Sequence, residues 1–316
     1  MSRAIPLCTL MAVAATSATG TTAPTAPPAV EEELAEVTVT APEPRYVAPT
    51  TRDRIGRVWV PVLIDGRGPF RLVLDTGAQR SAVVPDVATQ LGVSLQNAAP
   101  MRLHGATGTR VVPGIEAGVL EVGDVWLPAG RLPVVVDAFG GADGMLGVEG
   151  LQDRRIYINF RADYVDIALS RNRRAAEGFI TLPFLESEQP LLTVTARVGR
   201  QQVLAVIDTG AQTTVGNEAL RQLLRRELSG DTVGEDQIHG ATGDTQSGIS
   251  APIRSIRLGG LEIRDARITF GDLYVFRLWE LTDRPAILVG MDILGLLDTL
   301  VIDYRRRELQ ILPRGE

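Results

Sequence analysis

The sequence predicts a mainly β protein of two similar, closed β-barrel-like lobes with short helices, related by a pseudo-two-fold axis. Three observations support this. At 316 residues the chain has room for two domains of ordinary size. Frequent Gly and Pro without a fixed period, together with 45% apolar residues, are typical of a globular, turn-rich chain. Four blocks of the first half also recur in the same order in the second half.

The repeated blocks begin with the motif Asp-Thr-Gly-Ala, which places Asp75 and Asp208 at equivalent positions. The second block is the identical pentapeptide His-Gly-Ala-Thr-Gly, at 104–108 and 239–243. An identical pentapeptide in register with a shared tripeptide indicates duplication. The last two blocks are an apolar pair ending in Gly with an acid two residues later, and a strand-like apolar run: Met145–Glu149 with Leu288–Asp292, and Ile156–Phe160 with Leu300–Tyr304.

The repeat divides the chain into an N-terminal lobe, 51–175, and a C-terminal lobe, 176–316. Residues 24–50 are rich in Pro, Ala and Glu and too polar for a core, which predicts a disordered linker or pro-segment. Residues 1–23 combine one positive charge, a short apolar run and small residues, the pattern of a signal peptide. This predicts export to the periplasm or the medium; a disordered N-terminus is the alternative.

Within each lobe, apolar runs flanking a turn predict a hairpin just before the aspartate. The runs are Val58–Ile64 with Phe70–Leu74, and Leu192–Val198 with Val203–Ile207. A helix capped by Asn217 is predicted after the second motif, because Leu220, Leu223, Leu224 and Leu228 fall on one face before Gly230. A shorter helix starting at Pro85 is predicted at the matching place.

Composition excludes several kinds of chemistry. All 32 basic residues are Arg, so Schiff-base and lysine-base mechanisms are absent. With Cys8 as the only cysteine, two histidines and no nucleophile elbow, neither a cysteine nor a serine triad is favoured. A net charge of -6 argues against nucleic acid as a partner. His104 and His239 on glycine-rich loops make a poor zinc site, so no metal and no cofactor are expected.

A carboxylate directly after three or four apolar residues is an unusual choice for a structural core, because a lone buried charge is costly. Two copies, Asp75 and Asp208, can supply one another with a partner. If the two loops meet across a local two-fold axis, the carboxylates share one proton and act as a base and an acid towards a water held between them. The alternative for each motif is an ordinary Asx turn.

The residues after each aspartate have physical roles in this interpretation. Thr76 and Thr209 are expected to exchange hydrogen bonds with the facing loop, and Gly77 and Gly210 to let the backbone approach the carboxylates without a Cβ clash.

Over residues 55–312 the sequence resembles the aspartic peptidases, in detail the bacterial retropepsin-like (gag-polyprotein-type) group, here with two units in tandem. Leu74–Ala78 and Ile207–Ala211 match the active-site signature of that family. Met145–Gly147 and Leu288–Gly290 match its hydrophobic-hydrophobic-Gly element, which in the family crosses behind each catalytic loop. The resemblance implies the acid-protease fold and an aspartic endopeptidase acting on polypeptide substrates, here in the cell envelope.

The two pentapeptides lie where the family places its flaps, the hairpins that close over substrate. The first flap is His104, Gly105, Ala106, Thr107 and Gly108, and the second flap is His239, Gly240, Ala241, Thr242 and Gly243. A plain glycine turn is the alternative. The histidines are expected to form hydrogen bonds at the base of each flap.

Ala78 and Ala211 stand where pepsin-type enzymes usually have Ser or Thr. Without a hydroxyl to stabilise the charged carboxylate, the pKa values of the pair should be higher, which predicts activity at mildly acid to neutral pH.

Several alternatives remain open. A catalytically weak or inactive peptide-binding pseudoprotease of the same fold, or an envelope protein that uses the lobes for assembly, would carry the same motifs. Glu149 and Asp292 are expected to be caps or surface charges rather than catalysts. The segment Gly271–Leu281, which we call the insert, has no counterpart in the first lobe and is expected to cover its own lobe. Because both half-sites lie in one chain, the expected state is a monomer without a transmembrane anchor after leader removal.

Overall fold

The architecture follows from a computed structural model, which describes residues 45–49, 51–52, 56–136, 139–186, 191–228 and 233–315. The predicted signal peptide and most of the predicted linker lie outside the described residues. Twenty-one strands and four short helices make up the described chain. Among them, no helix has the length and apolar character needed to cross a membrane.

The strands in chain order are β1 (Arg45–Pro49), β2 (Thr51–Arg52), β3 (Val58–Ile64), β4 (Arg67–Leu74), β5 (Ala82–Val83), β6 (Pro100–His104), β7 (Thr109–Val122), β8 (Val125–Pro133), β9 (Gly144–Leu146), β10 (Arg154–Asn159), β11 (Tyr164–Leu169), β12 (Ile180–Pro183), β13 (Thr193–Val198), β14 (Gln201–Ile207), β15 (Val215–Gly216), β16 (Gly234–His239), β17 (Thr245–Leu258), β18 (Leu261–Phe270), β19 (Ala286–Val289), β20 (Thr299–Asp303) and β21 (Glu308–Leu312). The helices are α1 (Pro85–Gln90), α2 (Glu218–Leu224), α3 (Tyr274–Leu278) and α4 (Met291–Leu294).

The second lobe is a closed barrel, as predicted. Its strands follow the order β13-β14-β19-β15-β18-β17, and β17 pairs back onto β13 through Arg197↔Arg257 and Val198↔Ile256. Strand β16 adds to β17 and forms the hairpin whose tip is the second flap.

The first lobe follows the same plan, but its ring is less complete. Strands β5-β9-β4-β3-β7 curl round, β8 pairs with β7, and a single bridge, Val83↔Val134, joins β5 to the chain after β8. The second lobe has two paired residues at that place. Strand β8 ends at Pro133, which has no N–H to donate to a neighbouring strand. The predicted closed barrel is therefore a curled sheet completed by one bridge.

A six-stranded antiparallel sheet, ordered β1-β11-β10-β20-β21-β12, joins the lobes. Its centre is the pairing of β10 with β20, in which Ile156 faces Ile302. These strands are the last repeated block of each half, so the duplicated segments pair with one another. The first strand, β1, is made by residues assigned to the linker from sequence, and it pairs with β11.

The predicted hairpins and helices are present. Strands β3 with β4 and β13 with β14 form the hairpins before each aspartate, and β4 starts three residues earlier than predicted. The Asn217 side chain accepts from Leu220 N at 3.0 Å and caps α2. The predicted apolar face is wrong for Leu223, which is 52% exposed; α2 buries Leu220 and Leu224 and ends there.

Candidate active site

Each aspartate directly follows a strand whose last residues are buried in the apolar core of its lobe. Asp75 follows β4 and Asp208 follows β14, and the backbone of each is fixed by the strand crossing behind it. Asp75 N donates to Leu146 O at 2.9 Å, and Asp208 N donates to Val289 O at 3.1 Å. The hydrophobic-hydrophobic-Gly segments Met145–Gly147 and Leu288–Gly290, which we call the Gly elements, thus lie behind the loops 75–78 and 208–211, which we call the catalytic loops. This is the arrangement that the resemblance implies.

The threonines lock the two catalytic loops together. Thr76 N donates to Thr209 Oγ1 at 3.2 Å, and Thr209 N donates to Thr76 Oγ1 at 3.1 Å. Each hydroxyl then donates to a carbonyl of the facing strand, Thr76 to Ile207 O at 2.8 Å and Thr209 to Leu74 O at 2.6 Å. Both side chains are buried. The predicted exchange of hydrogen bonds is present, and it fixes the position of one catalytic loop relative to the other.

The glycines leave room for the facing carboxylates. A Cβ on Gly77 would lie 2.5 Å from Asp208 Oδ2, and one on Gly210 would lie even closer to Asp75 Oδ2. Real Cβ atoms do not come so close to an oxygen, so both positions exclude any larger residue while the carboxylates stay in place.

Each carboxylate accepts two backbone hydrogen bonds through one oxygen and turns the other towards the facing loop. Asp75 Oδ1 accepts from Gly77 N and Ala78 N, both at 2.9 Å. Asp208 Oδ1 accepts from Gly210 N at 2.8 Å and Ala211 N at 3.0 Å. The alanines therefore contribute backbone donors and no hydroxyl. The two carboxyl groups are close enough for each to affect the pKa of the other.

Burial raises the pKa of both aspartates. For Asp75 the pKa is well above its ordinary value, first because of lost hydration and second because of the negative charge of Asp208. For Asp208 lost hydration again raises the pKa, and the N–H donors of Gly210 and Ala211 oppose it. The direction agrees with the expectation from Ala78 and Ala211, although burial is the leading cause. The pair therefore keeps a shared proton to higher pH than a free carboxyl group would.

This shift predicts a pH-dependent gain of stability in Asp75→Asn. A folded-state pKa above the unfolded value, about 3.9 for Asp, gives stability that is present at lower pH and is lost as pH rises through the folded pKa. Asparagine cannot ionise, so the variant should unfold at a higher temperature than wild type at pH 7 and at nearly the same temperature at pH 4.

Thermal unfolding followed by circular dichroism at both pH values measures this gain. Asp86→Asn, on the exposed surface of α1, is the matched control and should show no such pH dependence. An Asp75→Asn variant less stable than wild type at pH 7 would contradict the raised pKa.

Two hydroxyl residues that sequence analysis did not single out, Ser81 and Thr214, support the Gly elements. Ser81 Oγ accepts from Gly147 N at 3.0 Å, and Thr214 Oγ1 accepts from Gly290 N at 3.1 Å. Each lies six residues after its aspartate, so a comparison of the two repeats could have identified both residues from the sequence.

The acids after the Gly elements are anchors for the same loops. Glu149 Oε1 accepts from Ser81 N, and Asp292 accepts from Thr214 N at 3.0 Å and Thr214 Oγ1 at 2.7 Å. Burial raises the pKa of both. Asp292 also lies in the first turn of α4. Asp292 is exposed, as the prediction of a surface charge requires, whereas Glu149 is half-buried. The placement of both as loop anchors agrees with a role outside catalysis.

The tips of the two flaps meet each other. The hydroxyls of Thr107 and Thr242 are 3.2 Å apart, and Thr107 Oγ1 donates to Asp244 O at 3.1 Å. Both threonines are buried. A Cβ on Gly240 would collide with Thr107, and one on Gly105 with Thr242, so the flap glycines permit this approach. The structure thus brings the tips of the two predicted flaps together.

The insert has two faces. Phe276, Trp279 and Leu281 are buried in its own lobe, which agrees with the expected covering role. Tyr274, however, reaches across to the first flap and lies 2.8 Å from His104 Nδ1. This contact could not be predicted from the repeat, because the insert has no counterpart in the other lobe. His239 lies 3.0 Å from Thr245 Oγ1 at the base of its own flap.

Within the part of the chain that the structure describes, no group of three or more His, Cys, Asp or Glu side chains is placed to hold a metal ion. His104 and His239 each have a hydroxyl partner instead.

Comparison with protein families gives two matches, one for each lobe. Residues 60–153 match the model of the gag-polyprotein putative aspartyl protease, and residues 194–293 match the model named aspartyl protease. Together the matches span more than half of the chain, and each includes one catalytic loop and one flap. No curated protein matches the chain. With two such units in tandem, joined by a shared sheet and facing each other through their Asp-Thr-Gly loops, the chain belongs to the aspartyl proteases, as a retropepsin-like peptidase with two lobes.

Proposed function

We propose that the protein is an aspartic endopeptidase that hydrolyses peptide bonds with a water activated between Asp75 and Asp208. The observation that carries the proposal is the pair of carboxyl groups, each packed beside the facing glycine and held by loops that Thr76 and Thr209 bind together. Family membership alone implies a peptidase acting on polypeptides. The geometry of the two catalytic loops supports the choice of Asp75 and Asp208.

In the proposed reaction the ionised carboxylate takes a proton from the water, which attacks the carbonyl carbon of the scissile peptide bond. The protonated carboxyl group donates to the carbonyl oxygen as it becomes negative. The resulting gem-diol then breaks down: its C–N bond cleaves, a proton passes to the leaving amine, and a new carboxyl terminus remains. The dyad ends with one proton, as it began.

The flaps are proposed to cover the bound peptide and exclude water from the dyad. Exported proteins of the cell envelope are the proposed substrates, on the strength of the signal-peptide pattern. A monomer is the proposed working form, because one chain carries both aspartates.

Turnover of a peptide library by the purified protein tests the proposal. We expect internal cleavage of extended peptides, inhibited by a pepstatin-type compound and unaffected by a metal chelator. Binding of the same peptides without cleavage would instead support a peptide-binding pseudoprotease.

The pH dependence of that cleavage is a further prediction. Because burial raises the pKa of both aspartates, the singly protonated pair persists to higher pH, and kcat/KM should peak at mildly acid to neutral pH. The measurement is kcat/KM from pH 2 to pH 8. A maximum at about pH 2 to 3, where pepsin-like dyads work, would refute it.

A further inference from the structure

The two flaps have the same sequence, but different elements hold them. The insert holds the first flap by two hydrogen-bonding contacts. Val275 N donates to Ala106 O at 3.1 Å, and the hydroxyl of Tyr274 lies 2.8 Å from His104 Nδ1. The rings of Tyr274 and His104 are stacked, with centroids 6.0 Å apart. Ala106 also packs against the apolar cluster that contains Phe276.

The hydrogen bond from Val275 N to Ala106 O stabilises the insert as well as the first flap. The first N–H groups of a helix have no partner within it, and the N-cap of α3, Leu273, provides no side-chain acceptor. Ala106 O satisfies one of these groups, Val275 N, which belongs to a buried residue. If the first flap moved away, that buried N–H would lose its partner, which is unfavourable. The first flap and α3 therefore behave as one rigid element.

The second flap is attached more weakly. Among the described residues, its hydrogen bonds and ion pairs beyond its own hairpin go to the first flap and its stem, through Thr107 and Arg110. The Arg110–Asp244 pair, at 3.4 Å, has both side chains more than 40% exposed, and such pairs contribute little. Asp244 lies between the second flap and Thr245, and the first flap has no residue at the matching place before Thr109. Apolar packing of Ala241 adds to its attachment.

We infer that the two flaps are not equivalent: the second flap opens to admit a peptide, while the first flap stays in place as a fixed wall of the cleft. Tyr274 is the positioning residue of that wall and acts through His104. The passage of a peptide under the second flap rests on the proposed function, but the difference in mobility between the flaps does not.

Hydrogen exchange on the full-length protein, measured by mass spectrometry, tests the inference without any assay of activity. Peptides covering 104–112 and 239–247 report the two flaps. We expect the second flap to exchange about tenfold faster or more than the first, as local opening of a weakly held segment requires. In Tyr274→Phe the first flap should exchange about fivefold faster, the effect of one net hydrogen bond, and the second flap should not change.

Matched variants separate this effect from a general loss of structure. Tyr157→Phe makes the same chemical change on the sheet between the lobes, stacked on Tyr164, and should leave both flaps unchanged. His104→Ala should free the first flap as Tyr274→Phe does. His239→Ala, the same substitution in the other flap, should leave the first flap unchanged, because the side-chain partner of His239 among the described residues is Thr245 of its own hairpin.

A cleavage assay adds a second readout. Tyr274→Phe should raise KM about fivefold, because part of the binding free energy is then used to order the first flap when a peptide binds. It should leave kcat within about twofold, because Asp75 and Asp208 are unchanged. Equal exchange of the two flaps in wild type, or an unchanged first flap in Tyr274→Phe, would overturn the inference. If the flaps differ as expected but no peptide is cleaved, the inference on the flaps stands and the proposed function fails.

Discussion

Asp75→Asn and Asp208→Asn are each expected to lower kcat/KM for a cleavable peptide by about 10³-fold or more, the range that general acid–base catalysis contributes. Asparagine has nearly the shape of aspartic acid. In Asp75→Asn the side-chain oxygen can still accept from Gly77 N and Ala78 N, so the catalytic loop should keep its conformation. What the amide cannot do is release and regain a proton at neutral pH.

The two variants should lose kcat/KM to a similar extent, because the proposed reaction uses both carboxyl groups in every cycle. Steady-state cleavage of a fluorogenic peptide, with thermal unfolding in parallel, measures the effect and verifies folding. Asp86→Asn on α1 is the control and should retain wild-type kcat/KM. Activity within tenfold of wild type in either dyad variant would show that cleavage does not depend on the pair.

The catalytic loops could be predicted from sequence because their requirements are local. A strand of apolar residues, an acid, a hydroxyl residue and a glycine define each half, and duplication of the chain indicates that the halves face each other. The exchange of hydrogen bonds between Thr76 and Thr209 follows from that two-fold relation alone. Ser81 and Thr214 could have been found by the same argument, since both lie at the same offset within the repeat.

Other features depend on contacts between distant parts of the chain. Strand β1 has a Pro-containing sequence without apolar alternation, and its conformation is set by pairing with β11, more than 100 residues away. Tyr274 and His104 are 170 residues apart, and one of them lies in a segment that has no counterpart in the repeat. Glu149 and Asp292 accept from Ser81 and Thr214, which lie 68 and 78 residues away, and no local pattern reveals these contacts.

The Gly positions of the catalytic loops give the second large effect. Gly77→Ala is expected to lower kcat/KM by about 10²-fold, the cost of displacing a catalytic group by about 1 Å. The backbone at Gly77 is not in a left-handed conformation, so alanine is tolerated there by the backbone itself. The obstacle is the facing carboxylate: the new methyl group would meet Asp208 Oδ2 at 2.5 Å.

Asp208 cannot simply turn away from that methyl group. Its other oxygen is held by Gly210 N and Ala211 N, so relief of the clash requires either the loss of those hydrogen bonds or separation of the two loops. Separation would in turn stretch the bonds between Thr76 and Thr209. Overpacking of this kind costs about 1–3 kcal/mol, so Gly77→Ala should also lower the midpoint of urea unfolding.

The equivalent change, Gly210→Ala, should have the same effects through Asp75, because the two loops are related by the local two-fold axis. Gly234→Ala is the matched control: a Cβ there meets no atom within 4 Å, and both activity and stability should be preserved. Wild-type kcat/KM in Gly77→Ala would mean that cleavage continues when the two catalytic loops are further apart. Because the proposed mechanism requires carboxyl groups close enough to share a proton, this result would contradict it.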